Sequence, residues 1–323
     1  MSTAPQRPSV AAFLDRGDEL ARSGDPKGAM SFYQAAVKAA QAGFAEPANV
    51  GRLRTAEAFI QRRACEFRQS LDQAVAQYRP EDCAARVRLE HALEMLKGDR
   101  TIYLQQPAVL YYPYLAHRQF FNSEAFDWVA ELEAATPAIR EELLALLEQG
   151  ADFRPYVEDK PNRPRKRFHN LNNDPSWSAL YLWRDGKLVP EVARRCPRTV
   201  EALDSVPLTR IGRRTPAALF SRLEPGAHIP PHSGMLNCRL ICHLPLIVPK
   251  GCWLRVGNET RELEEGKLLI FDDSMEHEAK NPTGKTRIIL LFDIWRPELT
   301  QGERGAISAI FDAIDAFQPL PEA

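Results

Sequence analysis

The residues best suited to chemistry cluster in the C-terminal third, in PPHSGMLNCRLICHL, EEGKLLIFDDSMEHE and RIILLFDIW. His232 follows two prolines and precedes Ser233-Gly234, which predicts a rigid turn at a strand's entry. His277 follows the apolar run 268–271 and is expected at that strand's exit. Imidazoles are good ligands for iron(II), copper or zinc, and two protein ligands with open positions suit a metal that also binds a small cosubstrate and oxygen. A site of two histidines and one carboxylate would carry its carboxylate two residues after the first histidine, where this chain has Gly234. Taken alone, either histidine reads more readily as a hydrogen-bonded core or surface residue.

Arg287 changes that balance. It opens the next strand, where its side chain can point into the same interior. A buried guanidinium needs a carboxylate partner, and the distal carboxylate of 2-oxoglutarate would supply a bidentate one. Ser221, on an earlier strand, would add a hydroxyl donor to the same group. In isolation Arg287 reads equally as half of a surface ion pair. Cys238 and Cys242 can share a face of a helix or strand, but without a second pair they read as core thiols rather than metal ligands.

Such residues meet only if distant strands become neighbours. Segments 177–183, 218–223, 239–248, 253–256, 267–271 and 286–295 are short, apolar or alternating, and Pro, Gly and Asn turns separate them. That spacing predicts a sandwich or jelly roll. From 8 to 97 the grain is helical, rich in Ala, Arg, Glu, Gln and Leu. Phe13, Gly17, Leu20, Ala29, Tyr33 and Ala36 fall at the offsets of a tetratricopeptide helix pair, and helices over 51–77 and 81–97 are expected to complete a small bundle. Packing, rather than peptide binding, is the favoured role for this region. Gly98-Asp99-Arg100 marks a junction, giving a helical domain over 1–100 and a second domain over 101–323. Helices over 123–134 and 137–149 follow, with Ser123 and Thr136 as N-caps and Pro137 at the first helical position. The fold class is therefore α+β.

Composition excludes several classes of function. The 323 residues are 44% hydrophobic and 26% charged, and the net charge of −1 provides no global field for nucleic acid or an anionic membrane. No signal-peptide h-region opens the chain and no stretch approaches the ~18 apolar residues of a membrane span. Six scattered cysteines without an export signal fit reduced thiols in a cytoplasm. The basic run 162–167 reads as a solvated loop before it reads as a contact for an acidic substrate.

The chain resembles the aspartyl/asparaginyl β-hydroxylase family over roughly 165–300. The likeness is carried by W-S-A-L-Y-L-W (177–183), P-H-S-G-M-L-N-C-R-L-I-C-H-L (231–244), E-E-G-K-L-L-I-F-D-D-S-M-E-H-E (264–278), Arg287 and D-I-W-R-P-E-L (293–299). The resemblance implies a double-stranded β-helix and an iron(II)- and 2-oxoglutarate-dependent dioxygenase that consumes O2. It also implies an iron held by two histidines only, with Gly and water in place of the carboxylate, which accounts for Gly234. His232 and His277 carry over as metal ligands, Ser221 and Arg287 as the clamp for the cosubstrate's 5-carboxylate, and His243 as a contact to its metal-binding end. Arg239, Asp273 and Trp183 carry over to the substrate region; Asp273 reads alternatively as a residue orienting His277. One departure stands out: where the animal enzymes place a further arginine beside the cosubstrate, this chain has Ile241.

The implied substrate is the β-carbon of an Asp or Asn in a peptide, protein or carrier-bound amino acid. A lipid acyl chain of the lipid A type is second, since those relatives usually carry a membrane anchor. A tetratricopeptide adaptor with a degenerate barrel would have lost His232, His277 or Arg287. A zinc or manganese cupin would not need Arg287 or Ser221.

Overall fold

Apolar residues recurring at threes and fours near the N-terminus form three helices, α1 (Val10–Arg22), α2 (Pro26–Ala39) and α3 (Val50–Val75). The computed structural model describes residues 9–44, 46–159 and 168–317. Ser9 caps α1 by accepting from the Ala12 amide, and Asp25 caps α2 ahead of Pro26 by accepting from Gly28. Val10, Leu14, Ala29, Tyr33, Ala36, Leu53 and Ala56 form their shared core. A methyl group on Gly17 would lie 2.5 Å from the Tyr33 ring, so only glycine lets α1 and α2 approach this closely. Tyr33 and Arg52 both donate to Asp18, tying the three helices at one carboxylate.

The expected small bundle forms only in part: α3 joins the core of α1 and α2, and the last helix does not. Helix α4 (Cys83–Lys97), capped by Asp82 and ended by the left-handed Gly98, buries no residue, and the core stops near Ile60. Exposed ion pairs, Arg68–Asp99 and Lys97–Asp72, join it to α3 instead of an apolar seam. The chain divides into two compact units after Arg100.

The second unit mixes helices with antiparallel sheet. Its larger sheet holds β1 (Phe120–Phe121), β2 (Arg154–Pro155), β3 (Trp177–Arg184), β4 (Lys187–Leu188), β5 (Ala218–Leu223), β7 (Arg239–Ile247), β10 (Leu269–Phe271) and β12 (Arg287–Trp295). The smaller sheet contains β6 (His228–His232), β8 (Trp253–Val256), β9 (Glu259–Glu262) and β11 (His277–Lys280). The orders β10-β7-β12-β5 and β6-β11-β8-β9 show the chain crossing between sheets from β5 onward, which is the double-stranded β-helix of a jelly roll.

Period-two alternation gives the larger sheet two apolar faces. Its outer face carries Leu180, Leu182, Phe220, Leu244, Leu290 and Phe292 against α5 (Val129–Ala134), α6 (Thr136–Glu148) and α8 (Pro197–Asp204); the four-residue α7 (Pro190–Ala193) leads into α8. Its inner face and the smaller sheet share Leu223, Ile229, Leu254, Val256, Phe271 and Ile289. A C-terminal helix, α9 (Gln301–Phe317), buries Ile307 and Phe311 against Trp295 and Leu299.

Several local expectations fail for identifiable reasons. Segment 123–134 splits into a short 3-10 turn capped by Asn122 and α5, so Ser123 is not an α-helix N-cap. Thr136 is the first residue of α6, not its cap, and its hydroxyl is buried without a partner. His232 ends β6 rather than entering a strand, and His277 starts β11 rather than closing β10. The basic run 162–167 lies outside the described residues. Among the described residues no helix is long and apolar enough to cross a membrane.

Candidate active site

Between the two sheets lies a cavity of about 340 Å³. Alternate residues of each strand line it: Leu219 and Ser221 of β5, Arg239, Ile241 and His243 of β7, and Arg287, Leu291 and Asp293 of β12. His232 and His277 enter from the smaller sheet.

Those two histidines are opposite one another in the β6–β11 register, so both side chains leave the same face. Their ring centroids are 4.1 Å apart. His232 Nδ1 lies 2.8 Å from the Pro230 carbonyl and His277 Nδ1 lies 3.0 Å from that of Met275. A carbonyl only accepts, so each Nδ1 carries the proton and each Nε2 keeps its lone pair. Burial lowers both rings to about 4, assisted at His232 by the neighbouring His277, so both are neutral near pH 7. A neutral imidazole oriented through its other nitrogen is the form that binds a metal. Among the described residues no group of three or more His, Cys, Asp or Glu is placed to hold an ion.

Gly234 leaves no room for a carboxylate of its own. A Cβ there would lie 2.0 Å from Asp273 Oδ2, and its amide already donates to the Asp273 carbonyl at 2.6 Å. Asp273 fills that space. Its carboxylate accepts from Arg239 Nη2 at 3.1 Å, while Arg239 Nη1 donates to Asp293 Oδ2 at 3.3 Å. Burial raises both carboxylates, and Arg239 opposes that effect at each. Burial alone would lower Arg239, yet the two aspartates hold it above its ordinary value.

At the other end of β12, Arg287 is 1% exposed and has no carboxylate partner among the described residues. Burial lowers it to about 10. Ser221 sits on the adjacent strand, two positions out of register, and accepts from Trp177 Nε1 at 3.3 Å. His243 is buried and lines the same cavity; burial and then Arg287 push it well below the usual imidazole range. Arg287 Nη1, His243 Nδ1, Arg239 Nε and Asp273 Oδ1 are all buried without a hydrogen bond, and all four residues line this one cavity. Each such orphan costs about 1–3 kcal/mol, and their concentration in one place is the pattern of a ligand site.

Of the residues singled out from the sequence, His232, His277, Ser221, His243, Arg287, Arg239, Asp273 and Ile241 therefore meet in one cavity. Trp183 does not. A bulge between Tyr181 and Trp183 in the β3–β5 pairing flips the strand's phase, sending Trp183 into the outer core with Leu180 and Leu182. Trp177 and Tyr181 face the cavity instead, with Tyr156 stacked on Trp177 at 4.1 Å and Phe168 edge-on to His232 at 5.2 Å. The sequence reading missed these aromatics, although alternation from Trp177 points to Tyr181. It also missed Asp293, an acid inside an otherwise apolar strand.

Two thiols, Cys238 and Cys242, are free, buried and in separate clusters. Beside the site, Arg296 joins Asp272 and donates to the carbonyls of Asn237 and Ala116, both at 2.8 Å. Gln105 completes the network on Asp272 and Asn237. This buried, multiply satisfied ion pair fixes the turn before His277 against the loop after His232.

The sequence model of the family described as aspartyl/asparaginyl β-hydroxylase matches residues 133–297. The human aspartyl/asparaginyl β-hydroxylase is 39% identical over 186 residues, covering 57% of this chain and 23% of its own length. An ornithine lipid ester-linked acyl 2-hydroxylase of Rhizobium tropici is 36% identical over 191 residues, covering 58% of this chain and 64% of its own. The chain thus spans less than two thirds of the length of either relative. A solved Pseudomonas putida prolyl-4-hydroxylase aligns with 52% of this chain and 99% of its own, at 14% identity and a TM-score of 0.31. The family match takes in just over half of the chain, including both histidines, Ser221, His243 and Arg287, and on that ground the chain belongs to the aspartyl/asparaginyl β-hydroxylase family.

Proposed function

We propose that this protein is an iron(II)- and 2-oxoglutarate-dependent hydroxylase of an unactivated C–H bond. The observation that carries the reading is Arg287, a buried guanidinium without an anion among the described residues, in the same cavity as two imidazoles that present Nε2 lone pairs. His232 and His277 would hold iron(II). Ser221 and Arg287 would receive the distal carboxylate of 2-oxoglutarate, and His243 would meet its other end. Bound iron(II), with 2-oxoglutarate and O2, would supply the oxidant for hydroxylation and release succinate and carbon dioxide. The chain's own part is positional: Arg287 fixes the cosubstrate's depth, the carbonyls of Pro230 and Met275 fix the imidazole tautomers, and the aromatic wall excludes water.

The family's name supports the β-carbon of Asp or Asn in a peptide, protein or carrier-bound amino acid as target. The relative named for acyl hydroxylation, together with the apolar wall of Ile241, Leu219 and Leu291, supports an acyl chain as the second reading. The α1–α2 pair is read as tetratricopeptide-like, with Gly17 against Tyr33. The test is succinate formation from 2-oxoglutarate with iron(II), oxygen and candidate substrates, alongside a gain of one oxygen by mass spectrometry. Arg287→Ala is expected to weaken 2-oxoglutarate binding and spare the metal. Full turnover without 2-oxoglutarate would sink the proposal.

A further inference from the structure

Arg287 and Asp293 are six residues apart on β12, which at ~3.3 Å per residue separates them by about 20 Å along the cavity. Asp293 marks one end, and the half-exposed Met235 lines the same cavity. The cation facing this end is Arg239, and it is already matched twice, by Asp273 and by Asp293. Both acids are nearly or fully buried, at 5% and 0% exposure. Two carboxylates face one guanidinium, so while either acid is ionised the three offer no net positive charge to an incoming group.

The neighbouring wall is apolar. Ile241 lies opposite Asp293 in the β7–β12 register, and Leu291 lies opposite both His243 and Leu219. Two polar demands remain: Asp273 Oδ1 is buried with no donor, and Arg239 Nε is buried with no acceptor. A neutral carbonyl oxygen would satisfy the second without adding charge, whereas a carboxylate would meet two acids in a water-poor space.

We propose that the outer half of the cavity selects an uncharged aliphatic group adjoining a neutral carbonyl and rejects a carboxylate, with Ile241 and the Arg239–Asp293 pair as its specificity determinants. The inference rests on the hydroxylase reading and narrows it: within that reading, an asparagine or an alkyl chain next to an amide is accepted and an aspartate is not. Ile241 contributes by withholding a second cation, and Asp293 by occupying the first.

The test uses the full chain with manganese(II) and 2-oxoglutarate and three capped amino acids of similar size: the N-acetyl, N-methylamide derivatives of asparagine, norleucine and aspartate. Binding is followed by saturation-transfer NMR. Both neutral compounds are expected to bind at least about tenfold more tightly than the aspartate compound. Asp293→Asn keeps a side-chain oxygen for the Ala217 amide while removing one of the two acids that face Arg239, and it should narrow that gap. Ile241→Arg should do the same by adding a cation. Equal affinities, preference for aspartate, no binding of any compound, or an unchanged gap in both variants overturns the inference. 2-Oxoglutarate binding, measured separately on every protein, tells the two failures apart: its loss in the wild type removes the underlying reading, whereas its retention leaves only the selectivity refuted.

Discussion

Replacing Arg287 by methionine is expected to stabilise the protein while abolishing its response to 2-oxoglutarate. Burial lowers the guanidinium from its ordinary value to about 10, with no facing carboxylate among the described residues to offset it. Converted at about 1.4 kcal/mol per pH unit, the depression amounts to an unfavourable burial on the order of 3 kcal/mol in the ligand-free protein. At 1% exposure, solvent screening relieves little of this. The sign follows from linkage. Below about 10 both folded and unfolded chains carry the charge, so the penalty is present in full at neutral pH. Methionine keeps an unbranched stem and removes the charge, and imperfect repacking returns part of the gain. A net increase of about 1–2 kcal/mol remains, a rise of ~2–8 °C in the melting temperature of a domain this size. Melting curves with and without 2-oxoglutarate, in the presence of manganese(II), provide the assay. The wild type should gain about 2.7 kcal/mol at a hundredfold excess over its dissociation constant, and the variant should gain nothing. A variant that melts below the wild type without 2-oxoglutarate, or that is stabilised by it equally, refutes the reasoning.

Acid should destabilise the metal-free protein over a defined window. His232 and His277 take up a proton below about 6.5 when unfolded but only near 4 when folded, so stability falls as pH drops from 6.5 towards 4. Urea midpoints across that range should fall less steeply for His277→Gln. Gly234→Ala drives a methyl group onto Asp273 and should weaken metal binding about 10–100-fold by calorimetry; combining it with Asp273→Ala should cost less than the two single effects added. Additive losses would separate Asp273 from the Gly234 effect. Arg296→Ala leaves Asp272 buried and unpaired, and chemical denaturation should show a loss of about 3–5 kcal/mol.

How far the fold was legible depended on where each strand lies. Strands β5, β7 and β12 run through the larger sheet with both faces buried, so their apolar runs were conspicuous and their bounds nearly right. Strand β6 reads as a turn in the sequence because of its two prolines. It lies at the edge of the smaller sheet, where a missing amide hydrogen leaves a neighbour unserved on only one side. The sequences ETRE and HEAK of β9 and β11 are short and polar, and pairing alone identifies them as strands. Trp183 was misplaced because a bulge changes phase without marking the composition. Helix α4 was legible as a helix, but whether a partner exists for its apolar positions is a tertiary fact.

The site was more legible than the fold around it, and β12 shows why. A strand buried on both faces tolerates ionisable residues only where something compensates them, so Arg287 stands out against Ile288, Ile289, Leu290, Leu291 and Phe292, and the same signal, unused in the sequence reading, points to Asp293. Their six-residue separation is even, which puts both on the inner face, at opposite ends of the cavity. The structure adds how each charge is compensated. Asp293 has Arg239 within the protein, whereas Arg287 has no anion among the described residues. One end of the cavity is therefore internally settled and the other is open to an anion. That asymmetry assigns a direction to whatever enters: an acidic group to the Arg287 end, past His243, and an uncharged group to the end that Arg239 and its two aspartates already close.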